Sequence, residues 1–319
     1  MIQKYESGTL IIYTLIALGL LNAIEVIGQF FGSPIAQALP QILHIQINED
    51  ALAQNEQDDL HGYVVGGLMG AVSSGYFLSA TSVLALYNQK DKISVFNWIA
   101  FAIIFFALFL VQERSGMYSG LLCAFLYYAI ISINNQKALF SSIFILLLAT
   151  IFISQYATSY ISTEDMRYSA EGIEDNRRAR IALDAIKWII NYPAGGANSF
   201  YEMGGYYPHN VLINAFLYGG IIGGSILIGI LISQLWKIGG VVYYYFQEER
   251  YSLLLLACCF AYLCYTFNSF FHNYSLVFGG EMIFLLWAMI VSLKDIEDNA
   301  SEDIDLDAKE MDLDLMIEA

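Results

Sequence analysis

The sequence predicts an all-α fold: a polytopic transmembrane helical bundle of about eight spans, with one large extracytoplasmic loop containing an amphipathic helix. Three observations lead there. Hydrophobic residues make up 57% of the chain and charged residues only 14%, against about 25% charged in soluble domains, so the chain cannot cover itself with a polar surface. Mean hydropathy is accordingly +0.55. Apolar runs of about 20 residues, the length a helix needs to cross a hydrocarbon core, recur along the chain. The runs are continuous, whereas the strands of a lipid-embedded barrel alternate and are about half as long.

The runs lie at about 9–31, 63–87, 95–112, 116–133, 138–157, 211–235, 252–271 and 275–293. The first follows MIQKYESG without a small-residue processing site and reads as a retained helix. Loop charges orient the rest. Lys4, Lys90, Lys92, Lys137, Lys237, Arg250, Lys294 and Lys309 all fall on one side, and residues 32–62 on the other contain no lysine or arginine. Positive charge is retained in the cytoplasm, so both termini are expected there and the long 158–208 loop is expected outside. Among the short outward loops only Arg114 breaks the pattern.

Residues 1–293 therefore read as one transmembrane domain and 294–319 as a disordered cytoplasmic tail. The tail holds eleven of the thirty acidic residues against two lysines, so it accounts for more than half of the net charge of −16. The acidity says little about partners, and nothing in the chain calls for nucleic acid. Cys123, Cys258, Cys259 and Cys264 all lie inside runs, where helix packing explains them better than a metal site or a disulfide. Gly219, Gly220, Gly223 and Gly224 form overlapping small-xxx-small patterns expected to pack against another helix. Glu25 and Glu281, in or near the first and last runs, either bind an ion or are satisfied by neighbouring helices.

The outward loop carries Arg167, Arg177, Arg178, Arg180 and Lys187 where positive charge is not used for topology. Either they meet an anion or they solvate a segment that crosses regardless of charge. In EDNRRARIALDAIKWIINYP the residues Ala179, Ala182, Leu183, Ile186, Ile189 and Ile190 share one helical face, and Arg177, Arg180, Asp184 and Lys187 gather opposite. Such a helix is expected on the outer membrane surface, apolar face toward the bundle, with Arg178 on the border at headgroup depth. Pro193, Gly195 and Gly196 end it.

Three further residues invite a chemical reading. Arg114, in LFLVQERSGMYSGLL, either snorkels or offers a planar fork to phosphate oxygens, with Ser115 and Gly116 leaving room around it. His209, with Asn210, stands before an apolar run. With an ordinary pKa near 6.5, such a histidine can take a proton from a hydroxyl at neutral pH. The plainer alternative is a helix-start residue bonded to backbone. His272, in FNSFFHNYS, lies in another outward loop and either lines the same pocket or caps an interface. Trp188 and the many tyrosines either stack on sugars or form an interfacial belt.

In order along the chain, ERSG (Glu113 to Gly116), RRARIALDAIKWIINYP with AGGANSF, and PHNVLINAFLYGGIIGG resemble the O-antigen ligase and O-antigen polymerase family of bacterial integral membrane glycosyltransferases. The likeness runs from about residue 100 to 240. Members usually have more spans, so the chain resembles the C-terminal two-thirds of one. The family's arginine after the third of these spans falls on Arg114, with Glu113 in place of the usual serine. Its loop-helix arginine falls on Arg178, fifteen residues before Pro193, and its His-Asn pair falls on His209 and Asn210. Tyr218 stands where an acidic residue is often found.

The resemblance implies an enzyme of the bacterial inner membrane for lipopolysaccharide or other polysaccharide biosynthesis. A glycan on a polyprenyl (undecaprenyl) diphosphate would pass to a glycan or lipid A core acceptor at the outer face. It implies His209, Arg178 and Arg114 in catalysis and Asn210 beside them in substrate binding, with Arg177, Arg180 and His272 as further substrate-binding candidates read from their place in the outward loops. Inversion at the anomeric carbon is expected. No DxD motif occurs in the outward loops, so neither metal nor cofactor is expected. Membrane lipids, and chain-length or export proteins, are the implied partners. The rivals are a transporter or flippase of a lipid-linked sugar or small solute, and an inactive partner in a polysaccharide assembly complex.

Overall fold

The computed structural model describes residues 2–42, 67, 71–87, 94–111, 114–132, 177–206, 208, 210–248, 251–270 and 282–299. Regular structure among these residues is helical throughout. The helices, in chain order, are α1 (Ile2–Phe30), α2 (Pro34–Ile42), α3 (Ala71–Ala85), α4 (Val95–Leu110), α5 (Arg114–Ile131), α6 (Arg177–Asn191), α7 (Ala197–Glu202), α8 (Val211–Glu248), α9 (Leu253–Ser269) and α10 (282–299). The runs predicted at 95–112, 116–133 and 252–271 fall on α4, α5 and α9, while that at 138–157 lies outside the described residues. Glu6–Phe30 and Val211–Gln247 are long and apolar enough to cross a membrane; Val95–Leu110, Ser115–Ile131 and Leu253–Ser269 are shorter apolar helices.

The core forms around α3, which packs against α1, α4, α5 and α9. Its sequence, AVSSGYFLSATSVLA, explains the central place: small residues let neighbouring backbones approach closely. A Cβ on Gly116 of α5 would fall 2.9 Å from the Gly75 carbonyl oxygen. The buried hydroxyls turn back on their own helix, Ser79 donating to the Tyr76 carbonyl at 2.8 Å, Thr81 to Phe77 at 2.8 Å and Ser82 to Ser79 at 2.7 Å. Each polar group is thereby satisfied without water. Cys123, Cys258, Cys259 and Cys264 are free thiols buried in this core.

Hydrogen bonds tie the helices at both of their ends. At one end, Ser94 and Asn97 form a capping box on α4, and the Asn97 amide donates to the Ala85 and Tyr87 carbonyls at 2.8 and 2.7 Å. There too, Glu297 of α10 accepts from the Ser252 backbone at 3.0 Å and the Ser252 hydroxyl at 2.5 Å, at the start of α9. Tyr251 donates to Asp298 at 2.7 Å, and Lys294 pairs with the same carboxylate. Burial, reinforced by that bond to Asp298, raises the Tyr251 hydroxyl above the usual tyrosine pKa. The tail expected to begin at 294 is thus helical and bonded through 299; residues 300–319 lie outside the described residues.

Candidate functional site

At the opposite end, three stretches distant in sequence meet. Asn210 caps α8: its Oδ1 accepts from the Leu212 and Ile213 backbone N–H groups at 2.9 and 3.1 Å, satisfying donors that a helix start leaves orphaned. The other half of the same amide donates to the Phe270 carbonyl at 2.9 Å, fastening the start of α8 to the end of α9. Asn214, one turn on, reaches back to the Pro208 carbonyl at 3.0 Å.

Ten residues into α8 the helix breaks. Gly220 has φ 62° and ψ −162°, a region essentially reserved for glycine. The backbone groups freed there are taken by the turn after α6: Ile221 N–H donates to the Pro193 carbonyl at 2.8 Å, and Gly196 N–H to the Leu217 carbonyl at 2.9 Å. The turn needs its glycines, with φ 102° at Gly195 and 144° at Gly196. Around it Ala185, Ala197, Phe200 and Leu217 form a second small core, and Trp188 stacks on Tyr192 with ring centroids 4.2 Å apart. The outer part of α8, with α6, α7 and their turn, is therefore one packed unit.

The third stretch enters through α5. Ser115, in its first turn, donates to Oδ1 of Asn268 in the last turn of α9, two residues from the carbonyl that Asn210 holds. Alongside, Asn22 of α1 donates to Ser74 of α3 at 3.1 Å, and Gln29 donates to the Glu25 carboxylate at 3.2 Å. Glu25 is thus a buried carboxylate with a helix-internal partner.

Of the sequence-derived candidates, Asn210 is placed in full. Arg114 opens α5 and Arg177 and Arg178 open α6, but the described residues include only their backbones. His209 and His272 lie outside them, as does Glu281. Arg180 is exposed, and Lys187 pairs with Asp184 at 3.5 Å on the surface. Among the described residues, no group of three or more His, Cys, Asp or Glu side chains is placed to hold a metal ion.

Two expectations change. The face of α6 that packs against α8 is formed by Ala185, Trp188 and Ile189, of which only Ile189 belongs to the expected apolar face, whereas Leu183, Ile186 and Ile190 of that face remain exposed at 55%, 42% and 72%. Helical period shows which residues share a face but not how much of it a neighbour covers. Among the described residues the glycines of α8 form no helix-packing stripe either. Gly220 breaks the helix, a Cβ at Gly219 would meet nothing within 4 Å, and one at Gly224 would meet Phe216, which the break folds over it. Sequence reasoning also missed Asn268, whose only signal was a polar residue late in an apolar run.

Comparison with family models, with curated proteins and with solved structures gives no match.

Proposed function

We propose that this chain is a polytopic membrane glycosyltransferase of the O-antigen ligase or polymerase type. It would transfer a glycan from a polyprenyl-diphosphate carrier to an acceptor hydroxyl at the outer face of the cytoplasmic membrane. One observation carries the reading. The stretches behind the resemblance, ERSG, the RRAR helix with its PAGG turn, and PHNVLINAFLYGG, are joined through Ser115 to Asn268, Phe270 to Asn210, and Pro193 and Gly196 to Ile221 and Leu217. These bonds bring three stretches far apart in the chain together at one end of the bundle, as a shared site requires.

The eight-span topology draws support from the same bonds. Pairs 115 with 268 and 210 with 270 join ends that loop charge assigns to the outside. Pairs 97 with 85 and 252 with 297 join ends assigned to the cytoplasm. Beyond Gly220, α8 still has 28 residues, about 42 Å at 1.5 Å per residue and enough to span alone. The outer part of α8 then belongs to the extracytoplasmic unit, and Leu183, Ile186 and Ile190 face the outer leaflet. A single cysteine at Lys187 should react with an impermeant maleimide in intact cells, and one at Lys237 only after lysis. The reverse pattern would overturn the topology.

In the reaction the acceptor oxygen attacks the anomeric carbon as its proton passes to the His209 imidazole. The bond from that carbon to the diphosphate oxygen breaks, and its electron pair leaves with the diphosphate. Arg114 and Arg178, with Arg177 or Arg180, hold the leaving group and offset its growing charge. Attack opposite the leaving group inverts the anomeric centre. In a purified transfer assay His209→Ala should cost about 10²–10⁴ in rate. Arg178→Lys should also be damaging, since a point charge does not replace a bidentate fork, and EDTA should leave the rate unchanged. Undiminished product from His209→Ala would remove the proposed base.

The broken α8 and the buried Glu25 favour, as a second reading, a transporter of a lipid-linked sugar, because transporters build ion and substrate sites at helix breaks. Here, however, backbone groups at the break are taken up by the Pro193 to Gly196 turn rather than turned toward a cavity. Flux into liposomes without product formation would decide for transport.

A further inference from the structure

We infer that Asn268, with the first turn of α5, forms a subsite for a phosphate-type oxygen of the substrate. On the glycosyltransferase reading, on which this rests, that oxygen belongs to the lipid diphosphate. Asn268 is 0% exposed in the last turn of α9. Its Oδ1 accepts from Ser115, but its Nδ2 has no acceptor among the described residues. Nearby polar side chains on the same helix are satisfied: Thr266 donates to the Tyr262 carbonyl at 2.9 Å and Ser269 to Tyr265 at 3.0 Å. The carbonyl of Phe270 is already used by Asn210.

Leaving such a donor unpaired in the interior costs about 1–3 kcal/mol, and native proteins retain few. A leucine would fit an apolar helix interior without that cost, so the amide points to a ligand acceptor. Its surroundings select the ligand. Ser115 holds the amide beside the N-terminus of the 18-residue α5, where helix N–H groups and the positive dipole end favour anions. Arg114, the adjacent residue, opens that helix. Gly116 lets α5 lie against the Gly75 carbonyl with no side chain between them, which keeps this turn at the junction of α3, α5 and α9.

The test is ligand-induced thermal stabilisation of the full chain in detergent, with farnesyl diphosphate as one probe and phosphatidylglycerol as another. Wild type should be stabilised by farnesyl diphosphate. Asn268→Asp keeps an acceptor for Ser115 but loses the donor and adds repulsion, and Asn268→Leu removes both polar atoms. Each should weaken the apparent affinity at least tenfold, and the aspartate variant decides if the leucine variant fails to fold. Equal affinity in wild type and variants would overturn the subsite and leave the wider reading standing. No stabilisation of wild type by farnesyl diphosphate would count against that reading itself. Equal stabilisation by phosphatidylglycerol, lost in the same variants, would overturn the diphosphate in favour of a phospholipid headgroup.

Discussion

Gly220→Ala is expected to pull the turn after α6 off α8 and abolish the proposed transfer, while Gly219→Ala, one residue earlier, leaves the turn docked and the proposed transfer unchanged. At φ 62° and ψ −162° an alanine is strained by about 1–3 kcal/mol before any contact is considered. Its Cβ would then fall 2.5 Å from the Ala194 carbonyl carbon and 2.6 Å from the Pro193 oxygen, backbone atoms that cannot rotate away. Relieving the clash pulls the turn off α8 and breaks its hydrogen bonds at Ile221 and Leu217, each worth about 0.5–1.5 kcal/mol. The combined loss comes to about 2–6 kcal/mol, by the same strain and hydrogen-bond magnitudes. Gly219 is the last helical residue before the break and has nothing within 4 Å among the described residues, so alanine there is neutral or gains up to about 1 kcal/mol of helix propensity. Limited proteolysis of purified protein reads the difference. Faster cleavage between 193 and 220 is expected only in Gly220→Ala, and wild-type resistance in that variant would contradict the account of the break. Because the small core around Phe200 and Leu217 is separate from the main one, the remaining helices should still fold.

Substitutions at Asn210 should separate its two roles. Alanine loses the cap, typically about 1 kcal/mol, and the bond to Phe270, about 0.5–1.5 kcal/mol more. Aspartate keeps the cap and even suits the helix N-terminus, but it has no N–H to donate and sets a carboxylate against the Phe270 carbonyl. Thermal midpoints should fall in the order wild type, Asn210→Asp, Asn210→Ala. The proposed transfer should be lost in both variants, because α8 no longer docks on α9. An aspartate variant as stable and active as wild type would show that the bridge to Phe270 positions nothing.

Much of the bundle was readable before any tertiary contact was known. A run such as 95–112 can satisfy its backbone in an apolar medium only as a helix, so its length and composition dictate α4 almost to the residue. Asn210 was readable too, since an asparagine before an apolar run carries a capping side chain wherever the run later packs. The arginines and His209 stood out by residue type, and their roles remain part of the proposal. Asn268 carried no such mark. Burial, an N–H unmatched among the described residues and its place beside the first turn of α5 mark it together, and all three are properties of its neighbours.

The sequence by itself determined that the chain is helical, too apolar for water, and marked by cations in one loop, because each of these follows from local composition and period. Only the tertiary structure decided that α8 breaks at Gly220, that half of the apolar face of α6 stays uncovered, and that Ser115, Asn210 and Asn268 gather at one end of the bundle. The physical reason is that a Gly-Gly pair in an apolar run continues the helix or ends it according to where its hydrogen bonds find partners. Here those partners lie in the Pro193 to Gly196 turn, more than twenty residues away along the chain.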